Sequence, residues 1–217
     1  MNNALIQFLQ SSILLGTPLL FGSVGEILTE KSGNLNLGIP GIMYVGGISG
    51  VVGGFLYQQA AGGKVNAVLA ILIPLLSALA GSLLASLIYC FLTVTLHANQ
   101  NVTGLALTTF GVGAMEFAMS KIVDSNYLRA LPFFRFPFAK SQTSAKYCGV
   151  MFFLAIIIAL IASFVLLKTR VGLYLRAVGE NPATADAVGI NVFRYKYVAT
   201  CVGSGIAGLG GLYYIMD

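Results

Sequence analysis

Long uncharged runs, separated by short polar stretches, dominate this chain. The segments 4–26, 35–57, 66–95, 101–120, 147–167 and 194–216 are apolar over lengths at or above the roughly 20 residues a membrane-crossing α-helix needs. The pattern predicts an all-α, polytopic integral membrane protein. It reads as a single domain over residues 1–217 with about six transmembrane helices, some of them broken.

The interruptions add detail. Gly16, Pro18, Gly22 and Gly25 fall in the first run and predict a kinked helix, and Glu26, Glu30 and Lys31 then mark an exit into water. Residues 32–63 are uncharged but hold ten glycines, and they open with SGNLNLGIPG. Gly33, Asn34, Asn36, Gly38, Pro40 and Gly41 there oppose a regular helix. Non-helical backbone at membrane depth is tolerated only inside protein or beside a water-filled cavity, so a broken or re-entrant start is expected. Three sets fall four residues apart: Gly46, Gly50 and Gly54; Ser77, Gly81 and Ala85; Gly203, Ala207 and Gly211. Each predicts a helix face that packs closely on a neighbour. A turn is expected at residues 61–64 and a kink at Pro74. The polar stretch 97–101, HANQN, separates the third and fourth runs. The longest polar connection, 121–146, includes PFFRFPF, whose aromatics suit a membrane interface.

The charged island is residues 167–196, with Lys168, Arg170, Arg176, Glu180, Asp186, Arg194 and Lys196 between two uncharged runs. Such a segment sits in water at a membrane face. Inside this loop, 168–193, Asn181 is a good N-cap and Pro182 suits the first helical position. Residues 183–188 complete a short helix, Gly189 can take the left-handed C-cap, and Asn191 can cap the helix that follows. A helix of about two turns, ~10 Å long, is too short to persist alone, so it requires a socket.

Composition supports the membrane reading: 57% of residues are hydrophobic and 9% charged, against about 25% charged in soluble domains. The net charge of +5 then belongs to residues flanking spans and does not imply a nucleic acid polymer as partner. Charge does not orient the chain, because alternation of spans divides the 12 Lys and Arg evenly between the two faces. No Lys or Arg precedes Lys31, so the first run lacks the basic start of a cleaved signal peptide.

No nucleophile–base pair, metal cluster or phosphate loop of the GxxxxGK[ST] kind is visible, so neither an enzyme nor a bound cofactor is expected. His97 is the single histidine, and Cys90, Cys148 and Cys201 are scattered without metal or redox spacing. The polar groups within or bordering the spans are Glu26, Asn34, Asn36, Asn99, Gln100, Asn101 and Glu116. Such groups are costly in lipid and mark functional candidates. The glutamates also fit span ends in headgroup water. Asn34, Asn36, Asn99 and Gln100 are the candidates for lining a solute path.

Against this background LRAVGENPATADAVGINVFRYK, residues 175–196, resembles the cytoplasmic coupling segment of ABC importer permeases of the ribose, branched-chain amino acid and nucleoside family. The matching positions are Arg176, Ala177, Gly179, Asn181, Pro182, Ala185, Gly189, Ile190 and Asn191, and GSGIAGLGG after them resembles the family's next helix. TEKSGNLNLGIPGIMYVGG, residues 29–47, is similar to the ERSG-x-x-NLGIEGMM pattern of the nucleoside or simple-sugar branch, with Lys31 for the usual Arg and Pro40 for the usual acidic residue. ANQNVTGLAL, residues 98–107, resembles that branch's NQ-x-x-x-GLAL.

The resemblance implies a multi-pass permease subunit in a bacterial plasma membrane, with the 168–193 loop cytoplasmic. It implies three partners: a cytoplasmic ATP-binding subunit that performs hydrolysis, a second permease subunit, identical or homologous, and an extracytoplasmic solute-binding protein. The ATPase contact would comprise Gly179, Glu180, Asn181, Pro182, Ala183, Ala185, Ala187 and Gly189. It also implies a chain continuing through further spans, so a truncated or split permease is expected. A branched-chain amino acid permease, and a channel or structural membrane protein, are the alternative readings.

Overall fold

Helices in lipid gain little from hiding apolar side chains from one another, so their contacts depend on how closely backbones approach. The computed structural model shows that dependence. It describes residues 2–61, 66–122 and 150–216, and among them every regular element is helical. Helix α1 is Asn2–Glu30, α2 Ile39–Ala60, α3 Ala67–Cys90 and α4 Gln100–Ile122. Helix α5 is Val150–Lys168, α6 Arg170–Glu180, α7 Pro182–Ala187 and α8 Val192–Met216. All but α6 and α7 are long and apolar enough to cross a membrane. Expectations for the 61–64 turn beyond Ala61, for Lys64, and for the polar connection from residue 123 with its aromatics, Cys148 and the start of the fifth run at 147, lie outside the described residues.

Helix α8 is central. Of its apolar window 61% is buried, against 11% for α4 at the periphery, and it packs on α1, α2 and α3. The small-residue stripes are those contacts. Gly203 abuts the Gly25 carbonyl of α1, and Gly211 abuts the Met43 carbonyl of α2. A Cβ on Gly46 would lie 2.8 Å from the Gly208 Cα, and one on Gly81 would collide with the Ser49 side chain. Larger residues fill the space beyond the glycines: Val51, Ala78, Met151, Leu212, Tyr213 and Met216 form one buried cluster.

The chain departs from the expected pattern in three places. Helix α1 continues to Glu30 past the expected limit at 26, so Glu26 sits within a helix, half-buried against the bundle, where its Oε1 accepts from Asn36 N–H. Helix α2 begins at Ile39, not 35, because Gly33 takes a left-handed φ of 76° and Pro40 can be accepted only in a first helical turn. The loop 168–193 is mostly helical. Thr169 caps α6 by accepting from Gly172 N–H at 3.2 Å, and the helix buries Gly172, Leu175 and Val178 along one face. Pro18 and Pro74 lie inside the continuous helices α1 and α3.

At the other end of α3, residues 91–95 form one widened π-helical turn, in which Leu96 N–H bonds the Phe91 carbonyl five residues back. His97 then takes a left-handed φ of 53° and turns the chain toward α4.

Candidate functional site

The non-helical connector 31–38 folds into the bundle where α1, α3, α4 and α8 meet. Its backbone groups are satisfied by side chains, which is what lets it leave helical geometry while buried. Leu35 N–H donates to Gln100 Oε1 at 2.9 Å, and the Leu35 carbonyl accepts from the Tyr89 hydroxyl at 2.7 Å. Asn36 N–H donates to Glu26 Oε1 at 3.3 Å, and Gly38 N–H donates to Asn36 Oδ1 at 3.0 Å. The Leu37 carbonyl accepts from Thr108 Oγ1 at 3.0 Å. Asn34 donates through Nδ2 to Thr200 Oγ1 of α8 at 3.2 Å.

Asn34, Asn36, Thr200, Ser204 and Tyr89 are all buried, at 1% exposure or less. Four buried atoms in this cluster have no protein partner: Glu26 Oε2, Asn34 Oδ1, Asn36 Nδ2 and Ser204 Oγ. Two of them are pure acceptors, one is a pure donor and the hydroxyl can be either. A polar solute or water could meet all four.

The second part of the site is the surface of the loop. Asn181 Oδ1 accepts from Thr184 N–H at 3.1 Å, Pro182 opens α7, and Gly189 closes it at φ 85°. Asn191 Oδ1 accepts from Arg194 N–H at 2.9 Å and caps α8. Ala183, Ala187 and Val188 are exposed, Val188 to 71%, and Glu180, Asn181, Pro182 and Gly189 are exposed with them. Ala185 is not: it is 3% exposed and turns inward, so it anchors α7 and offers no surface.

Gly179 joins the two parts. A Cβ on Gly33 would lie 3.0 Å from the Gly179 Cα, and a Cβ on Gly179 would collide with the Lys31 carbonyl. The last turn of α6 thus rests, backbone on backbone, on the turn that leads into Asn34 and Asn36. A cavity of about 770 Å³ opens on the same end, lined by His97, Gln100, Pro182, Asp186, Asn191 and Lys196 among others. Lys31, His97 and the 168–193 loop therefore share one end of the bundle.

Of the four solute-path candidates, the structure brings together Asn34, Asn36 and Gln100. Asn99 is exposed, and its Oδ1 accepts from Asn101 and Val102 N–H at 3.0 and 3.2 Å as the cap of α4. Sequence reasoning missed Tyr89, Thr200 and Ser204. The last two fall four apart in a Gly/Ala-rich helix, a signal that marks one face of α8 as polar. Among the described residues no three His, Cys, Asp or Glu come together, and Ser86 Oγ donates to the free thiol of Cys201 at 3.7 Å.

Among the described residues, six membrane-length helices around a small-residue centre, with a buried polar cluster and a capped loop at one end, define a multi-pass membrane protein. Comparison with known proteins makes the class specific. Residues 8–217 match the family described as branched-chain amino acid transport system / permease component, and the chain belongs to that permease family. It is 32% identical to a nucleoside ABC transporter permease protein of Lactococcus lactis, over 98% of this chain and 68% of that one. It is 31% identical to a guanosine ABC transporter permease protein of Bacillus subtilis, over 94% of this chain and 65% of that one. It is also 31% identical to a putative glucose ABC transporter permease protein of Haloferax volcanii, over 94% and 60%. The chain thus spans 60–68% of the length of these relatives. No solved structure matches it.

Proposed function

We propose that this chain is a membrane-spanning permease subunit of an ATP-driven importer for nucleosides or simple sugars. It couples through residues 179–189 to a separate cytoplasmic ATPase. The observation that carries the coupling is α7: a six-residue helix, capped at both ends, that presents Ala183, Ala187 and Val188 outward while Ala185 holds it to the bundle. So short a helix gains persistence from a docking surface, and its small outward side chains require close seating. The nucleoside or sugar cargo is supported by the relatives aligned over nearly the whole chain, which are named as nucleoside, guanosine and putative glucose permeases. A probable branched-chain amino acid transport permease protein of Methanocaldococcus jannaschii aligns over only 60% of it.

In this reading the solute path runs beside Asn34, Asn36 and Gln100, whose neighbourhood holds polar atoms without protein partners. Asn99 acts there through the α4 cap. Closure of the ATPase pair moves α7, and α6 passes that motion to the connector and the spans attached to it. A second permease subunit and an extracytoplasmic solute-binding protein complete the importer, which sits in the bacterial plasma membrane.

The test is Ala187→Trp in the complete transporter. The indole overpacks the seat at a cost of about 1–3 kcal/mol. We expect normal membrane insertion, loss of the ATPase on purification and loss of uptake. Gly189→Pro, which forbids the left-handed cap, should do the same. Full ATPase retention and uptake in both variants would show that this loop is not the coupling element.

A further inference from the structure

Between α5, α6 and the first half of α8 lies a second cavity, about 510 Å³, that the permease reading does not use. Its floor is apolar and buried: Leu28, Leu175 and Ala199. Its walls are Val171, Val198 and Val202, each half or more exposed. Among the described residues one charged side chain lines it, Arg194, itself exposed. Arg194 stands in the first turn of α8, at the loop end. From there to Val202 is eight residues, a slot of about 12 Å along the helix.

The surroundings share that asymmetry. Lys168, Arg170 and Lys196 stand at the same end of α5, α6 and α8, and among the described residues no acidic side chain lines the cavity. Helix α6 is amphipathic: it buries Leu175 and Val178 while Val171, Leu173 and Tyr174 stay exposed. Such a helix, basic at its start and apolar on an uncovered face, lies along a membrane interface.

We propose that this slot is a binding site for an anionic phospholipid, one acyl chain lying along Val198 and Val202 and the phosphate resting on Arg194. Apolar lining alone would accept any lipid; the single guanidinium at the mouth selects the charge. A guanidinium pairs with phosphate through two parallel N–H donors, so arginine suits the position better than a point charge would. The site does not depend on what the chain transports.

The test is lipid retention by the purified full protein in nanodiscs of equal phosphatidylglycerol and phosphatidylcholine, read by native mass spectrometry. Wild type should retain phosphatidylglycerol selectively. Arg194→Gln should cut that selectivity about fivefold, the typical worth of one basic residue at an anionic surface, and Arg194→Lys should restore part of it. Val198→Trp, which fills the slot and leaves the charge, should remove bound lipid of both kinds. Equal retention of the two lipids by wild type, or selectivity unmoved in both Arg194→Gln and Val198→Trp, would overturn the assignment and leave the slot to a protein segment.

Discussion

The contact between Gly179 and the turn at Lys31–Gly33 makes the transmission of force through this permease testable at one methyl group. In Gly179→Ala the new Cβ meets the Lys31 carbonyl oxygen, with the Gly33 nitrogen and the Lys31 carbonyl carbon each 3.1 Å away. All three atoms are backbone, so no side chain can rotate aside. Helix α6 must instead lift by something on the order of 1 Å to restore ordinary contact. Overpacking of this kind costs about 1–3 kcal/mol, which shifts a two-state equilibrium roughly 5- to 150-fold. The outward face of α7 is untouched, so the ATPase should still co-purify and hydrolyse ATP. The reconstituted transporter should instead lose solute transported per ATP hydrolysed. Gly33→Ala should act similarly, because it forces a side chain into a left-handed φ against the same partner. Since the two residues touch, the double variant should be less than additive. A normal transport-to-hydrolysis ratio in a monodisperse Gly179→Ala transporter would refute transmission through this contact, whereas Ala187→Trp tests docking separately.

Two further outcomes are expected. Asn34→Leu, Asn36→Leu and Gln100→Leu should each reduce labelled-nucleoside uptake at unchanged assembly; Asn99→Leu should act through loss of a helix cap, at about 1 kcal/mol, seen as a lower melting temperature. Gly211→Leu, facing the Met43 backbone, should abolish a monodisperse peak in size-exclusion chromatography, while Gly113→Leu, with nothing within 4 Å, should not; equal behaviour of the pair would refute close α2–α8 packing.

What the sequence made legible follows from which forces act locally. Span length and helix caps are local, so the six long helices and the Asn181–Gly189 unit could be read directly. The stripes at Gly46, Ser77 and Gly203 were legible as packing faces, but not their partners, which depend on the order in which helices assemble. Glu26 was misjudged for a related reason. Three charged residues at 26, 30 and 31 look like one exit into water, yet Glu26 is one turn deeper than Glu30 and meets Asn36 N–H across a connector whose inward fold no local pattern encodes. Helix α6 was hidden because its charged residues marked it as loop; its buried face, Gly172, Leu175 and Val178, emerges only against the apolar ends of α1, α5 and α8.

The buried polar cluster makes physical sense as a place that takes polar partners from outside the protein. A buried polar atom without a partner costs about 1–3 kcal/mol, and Glu26, Asn34, Asn36 and Ser204 each carry one. A packing role alone would favour apolar side chains of the same shape at these positions, as it does at Val51 and Ala78 a few turns away. The cluster is also held by its periphery: Gln100, Tyr89, Thr108 and Thr200 reach it from three other helices, and Gly179 rests on its first turn. Moving α6 therefore should not leave the connector unchanged, because Gly179 has backbone on both sides of that contact. If the proposed coupling holds, the contact of Gly179 with the Lys31–Gly33 turn is the step by which a push at α7 would reach Asn34 and Asn36, and Gly179→Ala is the variant that would separate the two.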